Sequence, residues 1–313
     1  MNAVVRPLQE SDLMAADRVM RLAFGTFIGL PDPAAFMGDA DYVRTRWRSD
    51  PGAAFCAEAG GELVGSNFAA NWGSFGFFGP LTIRPDLWDR GIGKSLLAPV
   101  MDCFNRWGVR HAGLYTFAHS QKHVGLYQKF GFWPRYLTAI MSKAIRQTPR
   151  DPGWNEFSEK SGAEREGLIR ECRQLTDAIY SGLDVSLEIR SVAAQKLGET
   201  VLLRGGARLD GFAVCHCGAG TEAGSGNCYI KFGAVRPSPA AEQDFGRLLT
   251  ACEQMAAAKG ATRLSSGVNT ARSKAYRQML ERGFRTDRQG VAMQKPNEPA
   301  YNHPGVYVID DWR

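Results

Sequence analysis

The residues best suited to chemistry lie in one run, Leu81-Thr-Ile-Arg-Pro-Asp-Leu-Trp-Asp-Arg-Gly-Ile-Gly-Lys-Ser-Leu-Leu97, which reads as a strand, a glycine turn and the start of a helix. Glycines at 91 and 93 admit close backbone approach. A helix N-terminus adds unpaired N–H groups at the positive end of its dipole, and the combination binds phosphate. Spacing separates the known kinds of phosphate turn. A P-loop needs glycine five residues before Gly93, where Trp88 stands, so Gly93-Lys94-Ser95 does not close one. A dinucleotide fold needs a third glycine at position 96, which is leucine, and strands alternating with helices from the start of the domain. Here two helices and a hairpin come first.

What remains resembles the turn of the GNAT acetyltransferases, R/Q-x-x-G-x-G/A, with Trp88 in place of the usual first residue. A second segment, Ser120-Gln-Lys-His-Val-Gly-Leu-Tyr-Gln-Lys-Phe-Gly-Phe132, resembles that family's closing motif through Leu126, Tyr127, Lys129, Gly131 and Phe132. Ser120 and His123 replace its usual Asn and Ala. The resemblance implies that acetyl-CoA is held by Arg90, Gly91, Ile92, Gly93, Lys94 and Ser95 at its pyrophosphate, with Ser120 nearby. It also implies that backbone N–H groups from Leu81 to Ile83 polarise the thioester, and that Tyr127 protonates the departing thiolate. An acceptor amine would attack directly, with no covalent enzyme intermediate. Many relatives place a Glu on the strand before the turn, but Phe75 to Ile83 contains no carboxylate. A water chain or His119, at the end of the next strand, is then the candidate base. The competing readings are a non-catalytic acyl-CoA sensor and a purely structural or interaction protein.

These groups need a frame, and periodicity supplies one. Ala3 to Pro7 reads as a strand, and Ser11 or Asp12 caps a helix through Phe24. A second helix lies around 40–48. Strands at 54–58 and 63–71 form a hairpin across Ala59-Gly-Gly-Glu62, and 75–84 continues as one more strand. A helix over 91–107, a strand over 112–118, a helix over 122–130 and a strand near 135–142 follow. The second half repeats the order, with helices over 163–181 and 187–196, strands over 201–204, 211–217 and 227–236, a helix over 242–259, a strand over 263–268 and a helix over 273–282. Ile83-Arg-Pro85 matches Val235-Arg-Pro237, Gly131-Phe132 matches Gly283-Phe284, and Leu96-Leu97 matches Leu248-Leu249, all at an offset of 152. Three landmarks at one spacing predict an internal duplication. The expected fold is α/β (α+β): two tandem GNAT-like domains, each a mixed, mostly antiparallel sheet flanked by helices. The catalytic domain spans 1–147, a Pro-, Gly- and Ser-rich linker 148–162, and a degenerate copy 163–313. In that copy Gly91, Gly93 and Tyr127 become Gln243, Phe245 and Met279, so it is expected neither to bind acetyl-CoA nor to catalyse, but to buttress the first domain or wall its acceptor pocket.

Composition bounds the partners. The chain is 313 residues long with a net charge of +6, and residues 1–150 hold 17 Lys+Arg against 12 Asp+Glu while the remainder holds 21 against 20. The excess lies in the half with the glycine turn and is scattered rather than clustered with aromatics, which favours a small polyanion over nucleic acid. No apolar run suits a membrane span or a leader, so a cytoplasmic protein is expected. Seven cysteines without a CxxC pair fit reduced thiols. In Cys215-His216-Cys217, strand alternation sends the imidazole to the face opposite the thiols, so no metal is expected. The expected partner is a small-molecule or peptide amine, and a homodimer is compatible with the sequence.

Overall fold

The computed structural model describes residues 3–146, 153–206 and 208–313. The first half runs β1 (Val4–Pro7), α1 (Leu13–Phe27), α2 (Val43–Ser49), β2 (Ala54–Ala59), β3 (Glu62–Trp72), β4 (Phe75–Phe78), β5 (Thr82–Ile83), α3 (Ile92–Trp107), β6 (His111–Thr116), α4 (Gln121–Gln128) and β7 (Trp133–Ala144). The second runs β8 (Trp154–Glu156), α5 (Gly162–Ile179), α6 (Ser186–Gln195), β9 (Gly198–Arg204), β10 (Leu209–Gly218), β11 (Gly224–Val235), α7 (Ala241–Ala258), β12 (Arg263–Asn269), α8 (Ser273–Glu281), β13 (Arg285–Lys295) and β14 (Val308–Ile309).

The duplicated order therefore holds element by element, and three details differ from the sequence expectation. The strand expected over 75–84 breaks after Phe78, because Pro80 has no N–H to extend a ladder, and it resumes as β5 beside β3. The expected linker 148–162 contains a strand. Trp154 is buried, with its indole N–H on Gln254 Oε1 (2.8 Å), and Trp154–Glu156 pair with β9 as β1 pairs with β2. Residues 148–152 of that linker lie outside the described residues. Finally, β13 closes the second half, where the sequence reading stopped at the preceding helix.

Pairing makes one continuous sheet in the order β1-β2-β3-β4-β6-β13-β7-β12-β11-β10-β9-β8. Read from either end, the order passes through corresponding strands of the two halves, so a pseudo-twofold axis lies between β13 and β7. The closing strands have exchanged. Residues 138–144 of β7 pair with β12 of the second half, and 291–295 of β13 pair with β6 of the first. Among the described residues only β4–β6 and β11–β12 run parallel. The boundary near residue 150 thus divides the chain but not the sheet.

A buried charge chain also crosses between the halves. Arg46 of α2 holds Glu222 through Nε at 3.0 Å, Lys231 lies 2.9 Å from Glu222 and 3.0 Å from Glu188, and Trp72 Nε1 donates to Glu188 (3.2 Å). Each cation has an anion, which is what allows charge in the interior. His216 lies beside this chain, its Nδ1 accepting the Glu222 N–H (3.3 Å), and burial first, then Lys231, holds its pKa down at about 4. A depressed histidine pKa means that the unfolded chain takes up a proton near pH 6.5 while the native state refuses it until about 4. Its stabilisation is therefore complete above pH 6.5 and lost as the pH falls toward 4, on the order of 3 kcal/mol at the limit. Denaturant melts across that range should show the loss, and His216→Gln should flatten it. An acid slope as steep in the variant as in the parent would refute the assignment.

Candidate active site

The site begins where two parallel strands part. β4 pairs with β6 only over 75–77 and 111–113. Beyond that, the chain turns at Gly79-Pro80 to put β5 on β3, whereas β6 continues alongside β13. A wedge opens between residues 79–83 and 114–117 and holds a cavity of about 700 Å³. The Arg84 N–H donates to Val64 O (2.8 Å) and Thr82 pairs with Ser66, so alternation turns the backbone groups of Leu81 and Ile83 away from β3, toward the wedge.

At one end of the wedge stands the glycine turn. Gly91 has φ +82°, the left-handed conformation that lets the chain enter α3 at Ile92. Lys94 and Ser95 N–H both bond back to Gly91 O, at 3.0 and 3.3 Å. Among the described residues, Gly91, Ile92 and Gly93 N–H have no protein acceptor. Gly93 is tight for another reason, since a Cβ there would lie 3.2 Å from Ile83 and 3.4 Å from Leu126. Trp88, the departure from the family pattern, donates its indole N–H to Ile83 O (2.8 Å) and pins the turn to β5. Arg90 and Lys94 line the cavity. Lys122, also lining it, reaches Asp89 (2.7 Å) and lies over the Trp88 ring. Ser95 is exposed and outside the lining; Ser120 is buried but also outside it, its Oγ accepting the His123 N–H (3.4 Å) to cap α4.

Tyr127 reaches the cavity from α4. Its ring meets Phe78 edge-on at 5.7 Å, and its hydroxyl bonds to Thr116. Burial raises its pKa well above the usual 10, partly offset by Thr116. His119 is not brought into the site. The turn after β6 carries it to the surface, stacked on Phe27 at 5.8 Å and outside the lining. The imidazole in the wall is His123, also against Phe27 (4.9 Å), its pKa lowered by burial, then by Lys122 and His119.

The other end of the wedge is built from residues that the sequence reading did not select. Met20 and Phe24 come from α1, and Phe36 and Tyr42 from the stretch between α1 and α2, while Arg288, Trp312 and Arg313 come from the second half. Trp312 packs on Phe75 (4.9 Å), and Arg46 holds both Gly79 O (2.5 Å) and Arg313 O. No local signal marks these contacts, because each joins residues far apart in sequence.

The corresponding wedge of the second half is filled. β11 and β12 pair over 227–230 and 263–266, after which β11 takes β14 as neighbour, Ile309 opposite Gly233 and Val308 opposite Ala234. The fully buried Arg272 anchors this plug through Val308 O (2.8 Å) and Asp310 (2.6 Å). Phe245, at the position of Gly93, packs on Tyr307 at 5.4 Å, and Met279, at the position of Tyr127, lies in the core. Among the described residues no group of three or more His, Cys, Asp or Glu is arranged to hold a metal, and no helix is long and apolar enough to cross a membrane.

Residues 19–132 match the family model for acetyltransferases of the GNAT family. No curated protein matches the sequence. Among solved structures, a candidate acetyltransferase from Pyrococcus horikoshii is 14% identical with a TM-score of 0.71, over 99% of this chain and 95% of that one. A GCN5-related N-acetyltransferase from Sphaerobacter thermophilus is 15% identical with a TM-score of 0.60, over 94% and 95%. A tandem GNAT protein from the clavulanic acid biosynthesis pathway is 11% identical with a TM-score of 0.56, over 94% and 98%. At such identities the likeness is one of fold, and it spans both halves. Residues 19–132 are thus similar to the GNAT acetyltransferase family, and the chain as a whole shares the fold of a tandem GNAT protein.

Proposed function

We propose that the first half transfers the acetyl group of acetyl-CoA directly to an amine, and that the second half serves as scaffold and wall without binding cofactor. The observation that carries this reading is the coincidence, in one wedge, of three unpartnered N–H groups at a helix N-terminus, strand amides turned inward and a buried tyrosine hydroxyl. Acetyl-CoA supplies an activated thioester. The N–H groups of Gly91, Ile92 and Gly93, with Arg90 and Lys94, suit its pyrophosphate. The amides of Leu81 and Ile83 suit the developing oxyanion, and Tyr127 suits the leaving thiolate. No Glu is available on β4 or β5 as base. His123, neutral because it is half-buried, is better placed than His119 to take a proton through water. The acceptor would be a small molecule or peptide entering from the α1–α2 side.

Gly93→Asp tests the cofactor assignment, because it sets a carboxylate among the phosphate donors and crowds Ile83. Calorimetric titration of the folded variant should show no acetyl-CoA binding, and parental affinity would refute the site. A sensor would bind acetyl-CoA in the parent chain yet release no thiol with any amine.

A further inference from the structure

Resting on that reading, the structure also bears on which amine is accepted. Its α1 side is apolar, with Met20, Phe24, Phe36 and Met37 on one wall and Trp312 on the other. Against this surface only a few polar groups face inward, and they are not equivalent. Arg46 lies behind the lining and is neutralised by Glu222 at 3.0 Å. Arg313 is neutralised by Asp311 at 3.1 Å and lies 4.1 Å from the Tyr229 ring centroid.

Two groups have no such partner. The Tyr115 hydroxyl is shielded from solvent and bonds to nothing among the described residues. The Arg288 guanidinium lines the same cavity, nearer the solvent, with no ion pair among the described residues. Backbone geometry sets them on one face. The Tyr115 ring lies across β13 at Gly290, where a Cβ would fall 2.4 Å from its Cζ. Arg288 is two residues before Gly290 on that strand, with regular pairing between them, so it stands on the same face. One hydroxyl donor and one uncompensated guanidinium beside an apolar wall make a carboxylate site.

We propose that the acceptor is a primary amine carrying a carboxylate on an apolar body, such as an apolar amino acid, with Arg288 and Tyr115 holding the carboxylate. The uncompensated cation repels polyamines. It also favours the neutral form of the attacking amine, because a nearby positive charge lowers an ammonium pKa. The second half thereby sets acceptor choice for a reaction carried out in the first, which gives the exchange of β13 a functional consequence.

The test measures thiol release by the intact chain at saturating acetyl-CoA with phenylalanine, leucine, their decarboxylated counterparts phenethylamine and isopentylamine, and spermidine. The carboxylated member of each pair should have a kcat/KM at least about 10-fold higher, the scale of one charge-assisted hydrogen bond. Arg288→Gln should bring the ratio near one by raising KM for phenylalanine, and Tyr115→Phe should narrow it. Equal or better rates with the decarboxylated amines, spermidine as the best acceptor, or an unchanged ratio in Arg288→Gln would overturn the proposal. So would transfer to none of the five while acetyl-CoA binds. Absence of acetyl-CoA binding would instead mark failure of the cofactor assignment itself.

Discussion

Tyr127→Phe is expected to lower turnover by about 10² to 10⁴, the usual worth of a positioned general acid, while acetyl-CoA affinity stays within a few fold. The ring that packs against Phe78 is kept, and only the hydroxyl on Thr116 is lost. Burial raises the Tyr127 pKa, so the hydroxyl stays protonated across the working range and no alkaline limb of the pH–rate profile in that range belongs to it. The same burial makes tyrosinate costly, and the Thr116 hydroxyl is the group that can offset this by donating to it. Single-turnover mixing with a saturating amine isolates the chemical step. A parental rate there would remove Tyr127 from the mechanism, and a large loss of acetyl-CoA affinity would reassign it to packing.

Cutting the chain between its halves is expected to abolish the site even though every residue of the glycine turn and α4 remains in the first piece. A fragment of residues 1–146 leaves β6 without its β13 neighbour over Ala112–Thr116, and β7 without β12 and β13 on either side. It also loses Glu222, so Arg46 becomes a buried charge without its partner. Breaking such a pair from one side costs about 3–5 kcal/mol, a large share of the roughly 5–15 kcal/mol that holds a domain together. The fragment alone should show no cooperative melt as a monomer and no acetyl-CoA binding by calorimetry, and co-expression with residues 153–313 should restore both. A monomeric fragment that binds acetyl-CoA like the intact chain would show that the exchanged strands are dispensable.

The sequence by itself determined what is local. Glycine at 91 and 93 before a helix, the tyrosine within Leu126-Tyr127, the helical and strand periodicities and the offset of 152 are all short-range patterns, and the structure bears them out apart from the break after Phe78, the strand within the expected linker and the added β13. The substitutions at 243, 245 and 279 likewise show that the second wedge lacks its chemical groups. What the tertiary structure decided is pairing. A strand's sequence records which face is buried but not which edge meets which neighbour, because ladder hydrogen bonds join backbone groups that are identical at almost every residue. Hence β7 and β13 could not be assigned to the opposite halves in advance. Tyr307–Ile309 could not be read as the plug of the second wedge, nor Arg288 and Trp312 as walls of the first. The two histidines make the same point at the scale of one turn. His119 and His123 are four residues apart, yet the turn after β6 leaves one at the surface and α4 carries the other into the cavity wall. A residue's type shows that it can titrate, and only its neighbours in space determine whether a substrate is within reach.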